Sequence, residues 1–166
     1  GMFASNFDKN KITCIEPCYD VALEARKKGL KVYINYFDDL LIKKLTKSHP
    51  KFDLIFSANT ITHISKYNSV FSNISKILDD KGTVIIEEPS LLETMRKNSY
   101  DQFYNEHIYL FSALALKNLL KKFDFEIFDI ENLSSHGGSL RYFIKRKTYT
   151  KQKINRNVDI QIKKEI

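Results

Sequence analysis

The sequence predicts an α/β three-layer sandwich, and three observations predict it. Short apolar strands alternate with amphipathic helices from Lys11 to Phe123. One strand, Thr83-Val84-Ile85-Ile86-Glu87, is apolar throughout its centre, as a central parallel strand covered on both faces must be. The alternation then ends in two strands joined by the loop Ser134-Ser135-His136-Gly137-Gly138-Ser139. Alternation followed by a closing strand pair places helices on the faces of a mostly parallel sheet.

The elements follow in order. Lys11 to Glu16 reads as a buried strand ending in an acid, stopped by Pro17. Asp20 to Lys28 is a helix closed by Gly29. Leu30 to Ile34 is a second strand, and Asp38 or Asp39 caps a helix running to about Lys47. Lys51 to Ser57 is a third strand. Lys66 to Leu78 carries Val70, Phe71, Ile74, Ile77 and Leu78 at helical spacing. Asp79-Asp80-Lys81-Gly82 reads as a turn into the apolar fourth strand. Ala113 to Phe123 is a helix with Leu116, Leu119 and Leu120 inward. Phe125 to Ile130 and Leu140 to Lys145 are the closing strands, the last antiparallel to its predecessor.

Composition narrows the function. The chain has 166 residues, 43% hydrophobic and 28% charged, a globular balance rather than a disordered one. No apolar run approaches the roughly 20 residues of a membrane span, and the first residues lack the pattern of a signal peptide. Cys14 and Cys18 have no second pair to complete a zinc site, so they read as free thiols in a reducing compartment, the cytoplasm, with no metal. The net charge of +7 is concentrated towards the end. Such a charge suits an anionic small molecule better than nucleic acid, because no stretch interleaves basic and aromatic residues. Residues 148–166 read as a basic tail or linker after a domain over 1–147.

The densest chemistry lies in Tyr100 to Ser112, which holds five aromatic residues, an Asp, a Glu and a His after the strand ending Glu87-Glu88-Pro89. Segments beyond the carboxyl ends of parallel strands are where open α/β sheets bind ligands. Tyr104, Glu106 and His107 there supply a hydroxyl, a carboxylate and an imidazole, the groups of acid–base chemistry. A structural loop whose aromatics cover the core is the competing reading. Glu16, ending the first strand, is placed to accept hydrogen bonds from ribose hydroxyls.

The series Ile15-Glu16-Pro17, Ser57-Ala58-Asn59-Thr60-Ile61-Thr62-His63-Ile64, Glu87-Glu88-Pro89, Tyr104-Asn105-Glu106-His107 and His136-Gly137-Gly138-Ser139-Leu140-Arg141 resembles the class I S-adenosylmethionine-dependent methyltransferases. More narrowly, it resembles the sugar C-methyltransferases that act on nucleotide-linked keto-deoxysugars. The resemblance covers about Ile12 to Lys147 and implies a Rossmann-like sheet with an antiparallel last strand. It implies S-adenosyl-L-methionine as cofactor, with Glu16 on its ribose and Tyr36 and Phe37 near its adenine. Asn59 and His63 would face the transfer site. Tyr104, Glu106 and His107 would line the sugar pocket, His107 as general base, with His136 and Arg141 beside them. Glu106 either orients His107 or binds the sugar, and Tyr104 or His63 would steady an enolate oxygen.

On the same resemblance, the chain lacks a first strand and its glycine-rich loop, a cysteine-rich zinc module and a second α/β domain. The absent strand would lie between the Glu16 strand and the Lys51–Ser57 strand. Two outcomes are then expected: the Glu16 strand crosses to pair with the Lys51 strand, or two copies pair through the open edges. Functional alternatives are an O- or N-methyltransferase of another small metabolite, an inactive fragment, and a noncatalytic module binding nucleic acid through the basic tail.

Overall fold

The computed structural model describes residues 3–166, which fall into two compact units divided between Ser48 and His49. The first unit is a β–α–β–α run. Strand β1 (Thr13–Ile15) pairs in parallel with β2 (Lys31–Tyr33) across helix α1 (Tyr19–Lys27), and α2 (Asp39–Ser48) follows. Helix α1 ends because Gly29 adopts φ 81°. That turn sends the Gly29 N–H to the Arg26 carbonyl at 2.8 Å and the Leu30 N–H to the Ala25 carbonyl at 3.2 Å. Two carbonyls at the helix end are thereby satisfied, and glycine adopts the positive φ without a Cβ penalty. Ala22, Ala25, Leu30 and Val32 form this unit's small core with Ala4, Cys14 and Ile34 against it. Of the two candidate caps for α2, Asp38 is the one used: its carboxylate accepts the Leu41 N–H at 2.9 Å.

The second unit is built on a four-stranded sheet of order β3-β4-β6-β5, with β3 spanning Phe52–Ala58, β4 Leu78–Pro89, β5 Phe125–Leu133 and β6 Ser139–Arg146. Strands β3 and β4 are parallel, and β6 runs antiparallel to both its neighbours. The mixed α/β sheet with an antiparallel last strand is the expected one. Alternation along β4 sends Val84, Ile86 and Glu88 to a buried face, and they join Leu140 and Tyr142 of β6 there. Helices α3 (Tyr67–Ile77) and α5 (Ala113–Leu120) add Phe71, Ile74, Leu116 and Leu120 to the buried residues. Between them lies a short helix, α4 (Leu91–Arg96).

Two expectations change. The Glu16 strand does not cross to the Lys51 strand: β1 hydrogen-bonds β2 alone, and β4 is the partner recorded for β3 among the described residues. Strand β1 pairs with β2 over three residues, and β3 pairs with β4 from Phe52 to Ala58. The turn expected at Asp79–Gly82 lies inside β4 as a bulge. The register steps from Phe52↔Leu78 to Leu54↔Thr83, so the residues between Leu78 and Thr83 loop out of the ladder. The Asp79 carboxylate holds the bulge by accepting the Lys81 N–H at 2.9 Å.

Residues 148–166, read from composition as a tail, end in helix α6 (Arg156–Glu165), which belongs to the second unit. Val158, Gln161 and Ile162 are buried, while Lys163 and Lys164 face water. No helix among the described residues is long and apolar enough to cross a membrane. Glu165 gives α6 a specific role. Its two carboxylate oxygens accept the Ala113 and Leu114 N–H groups, both at 2.9 Å, at the start of α5. Those donors have no partner within their own helix, and an anion there also opposes the helix dipole. Replacing Glu165 by Ala should therefore lower stability by about 1–2 kcal/mol. Urea melts of both proteins measure this, and an unchanged midpoint would show the cap to be idle.

Candidate active site

At the carboxyl end of β3 the chain turns sharply. Asn59 takes φ 47°, and a single 3-10 turn, Ile61–His63, follows. The Asn59 N–H reaches the Glu87 carbonyl at 2.8 Å, and Glu88 Oε1 accepts the Thr60 and Ile61 N–H groups at 3.2 and 2.8 Å. The turn is therefore stitched to the end of β4. Its next residue reaches the aromatic segment. The Thr62 carbonyl accepts the Ile108 N–H at 3.0 Å, and the Thr62 hydroxyl donates to the Tyr109 carbonyl. These bonds bring His63 and His107, 44 positions apart in sequence, to a ring separation of 5.0 Å.

The hydrogen bonds of these rings determine their tautomers. His107 Nδ1 lies 2.8 Å from the Gln102 carbonyl oxygen, and His63 Nδ1 lies 2.8 Å from the Glu106 carbonyl oxygen. A carbonyl oxygen can only accept, so each Nδ1 carries the proton. In the neutral ring Nε2 is then a lone-pair acceptor. On His107 that lone pair accepts the Tyr104 hydroxyl at 2.7 Å, with the two rings 4.0 Å apart. His107 thus combines an anchored Nδ1–H with a phenol donating to its Nε2. The anchor is a backbone carbonyl: the Glu106 carboxylate makes neither imidazole contact, and it is the Glu106 carbonyl that orients His63.

The remaining site residues are distributed as follows. Glu16 lies past the carboxyl end of β1, with its N–H on the Tyr33 carbonyl and its Oε1 on the Cys18 N–H at 2.9 Å. Tyr36 and Phe37 follow β2 at the same end of that sheet; Tyr36 is 74% exposed. Asn59, His63, Tyr104 and His107 belong to the second unit. Arg141 is bound within the sheet, to Glu87 at 2.6 Å and Glu131 at 2.9 Å, on the face opposite Glu88. His136, at φ 50°, is exposed in a loop fixed to α4. There the Ser90 N–H reaches the Gly138 carbonyl at 3.0 Å, and Lys97 Nζ donates to the Gly137 carbonyl. Gly138 has φ 131°, and a Cβ on it would stand 2.8 Å from Glu93 Cβ.

Two connecting residues carry no role in the sequence reading: Thr62 and Glu88. Glu88 had a legible signal, since the two-residue period that buries Val84 and Ile86 also turns Glu88 inward. Thr62 had none, because its partners at 108 and 109 are set by tertiary packing. A shallow cavity of about 410 Å³ lies elsewhere, against α5 and α6, lined in part by Lys117, Lys121, Lys147 and Arg156; it shares no residue with the imidazole pair.

Known proteins place this architecture. The structure resembles a methyltransferase from Thermotoga maritima described as a possible histamine N-methyltransferase, with TM-score 0.60, 20% identity, and coverage of 86% of this chain and 73% of that one. It also resembles an S-adenosylmethionine-dependent methyltransferase from Anabaena variabilis, with TM-score 0.63, 14% identity, and coverage of 87% and 71%. The fold is therefore the Rossmann-like methyltransferase fold. Residues 1–130 match the family described as Methyltransferase domain, and the chain belongs to that family. Among curated proteins it is similar to the C-methyltransferase NovU of Streptomyces niveus, 23% identical over 133 residues. That match covers 80% of this chain and 32% of NovU, so the chain spans about a third of the length of that relative.

The tautomer assignment can be checked directly. Long-range proton–nitrogen spectra of the neutral imidazoles should show both His63 and His107 protonated at Nδ1. A dominant Nε2–H form in either ring would contradict the carbonyl anchors.

Proposed function

We propose that this chain is the core of an S-adenosylmethionine-dependent methyltransferase that methylates carbon beside a ketone, on a nucleotide-linked keto sugar. Membership of the methyltransferase family and the similarity to a C-methyltransferase support the reaction class. The observation that carries the carbon chemistry is His107: its Nδ1–H is anchored on a carbonyl, and its Nε2 lone pair accepts the Tyr104 hydroxyl.

The chain has residues suited to the cofactor. In the first unit, the carboxylate of Glu16 would hold the ribose through Oε2, since Oε1 is committed to the Cys18 N–H. Tyr36 and Phe37 would flank the adenine. In the second unit, Asn59 has a buried side-chain oxygen without a protein partner, an acceptor that a ligand donor would satisfy. When bound, S-adenosylmethionine supplies an activated methyl group on a good leaving group.

The chain's own part is to make the acceptor carbon nucleophilic. A carbon beside a ketone must first lose a proton, and His107 Nε2 takes it once the Tyr104 hydroxyl gives way. The imidazolium formed keeps its Nδ1–H on the Gln102 carbonyl, so the ring need not reorient. The displaced Tyr104 hydroxyl is then the donor for the enolate oxygen. Neutral His63 presents an acceptor at Nε2, which favours Tyr104 over His63 for that task. Glu106, with its carboxylate exposed, is left to bind the sugar hydroxyls.

Two measurements test this reading. Calorimetric titration should show saturable binding of S-adenosylhomocysteine that weakens in Glu16→Ala; no binding by the unaltered chain would end the enzyme reading. In heavy water, the chain should exchange the proton beside the ketone of a nucleotide-linked keto sugar, and His107→Gln should slow this by about 10²–10⁴-fold. Cofactor binding without any exchange would favour methylation at oxygen or nitrogen.

A further inference from the structure

We infer that Glu88 is a positioning residue for the imidazole pair, and that its carboxyl acts as a protonation-sensitive clamp on the turn carrying His63. This rests on the reading of His63 and His107 as the site, but its test needs no ligand.

Glu88 is 1% exposed, at the end of the central strand β4. One oxygen, Oε1, takes both the Thr60 and Ile61 N–H groups. The other, Oε2, is buried without a partner. An unpaired buried polar atom is costly, and Oε2 is the oxygen that can carry a proton while Oε1 keeps both amide bonds. The clamped turn continues into Thr62, bound to Ile108 and Tyr109, and into His63, bound to Glu106. Both imidazoles are thus set by segments that converge on this one carboxyl.

The surroundings make the carboxyl titrate late. Burial pushes it up to about 7, against the opposing pull of the Ile61, Thr60 and Thr62 N–H groups. Across the sheet, Tyr142 of β6 is a buried phenol without a partner, raised by its own burial and by the charges of Glu165 on α6 and Glu88. The nearest strand cation, Arg141, is engaged by Glu87 and Glu131 on the other face. The folded chain therefore keeps a proton that an ordinary glutamate releases near 4.5. This contribution to stability is full below that value and is lost as the pH rises through about 7. Over the same range the clamp changes from a neutral to a charge-assisted acceptor.

The test is an NMR titration of the full chain, following the Glu88 side-chain carbon and the Thr60, Ile61 and His63 amides. The expected result is a shared inflection near pH 7 in the carboxyl, the Thr60 and Ile61 amides and the His63 backbone amide, which is bonded to the Thr60 carbonyl. Glu88→Gln should keep the two amide hydrogen bonds and abolish that inflection. A Glu88 carbon that titrates near 4.5, or one that titrates near 7 while the amides and His63 stay still, would overturn the inference. Those two outcomes are read on the unaltered protein, so failure of the variant to fold would not obscure them. Failure of cofactor binding would leave this result standing, and the reverse holds too.

Discussion

One carboxylate oxygen holds the site to the sheet. Glu88 Oε1 satisfies two backbone donors at the point where β3 gives way to a single 3-10 turn. Buried N–H groups must find acceptors, and a turn too short for its own ladder cannot supply them. Remove that oxygen and the Thr60 and Ile61 N–H groups lose their acceptor, leaving the turn held to β4 by the Asn59 N–H on the Glu87 carbonyl. The aromatic segment is tied to this turn through Thr62, and beyond β4 through the Leu91 N–H on the Phe111 carbonyl. The fold thus delivers its chemistry through a few polar contacts at one end of an apolar sheet.

The two histidines are in the same protonation geometry for the same reason. Each presents Nδ1 to a carbonyl oxygen, and each leaves Nε2 to face something else. Only His107 has a phenol there. Similar rings are thereby given different chemistry by a neighbour, not by burial. Tyr104 lies on the same segment as His107, three positions away, so one stretch of chain supplies both members of this hydrogen bond.

The sequence was most legible where apolar residues recur. The apolar run Thr83–Glu87 and the spacing from Val70 to Leu78 foretold β4 and α3 because hydrophobic period is a local property. Tyr104 and His107 were legible as a pair of reactive groups, but the tautomer was not, since the Gln102 carbonyl carries no side-chain signature. The bulge in β4 was hidden because a turn motif and a strand interruption have the same residues; only the register distinguishes them. Docking of α6 was hidden by its lysines. Val158 and Ile162 lie one turn apart on one face and Lys163 and Lys164 on the other, and the charge total obscured the stripe.

Gly138 has a consequence for how relatives of this chain can diverge. Its φ of 131° bars ordinary side chains, and a Cβ would meet Glu93 on α4. Shortening Glu93 would relieve only the second obstacle, so no change on α4 can license another residue at 138. The backbone path there depends on glycine, whereas His136, two residues earlier, holds a positive φ of 50° with its side chain exposed.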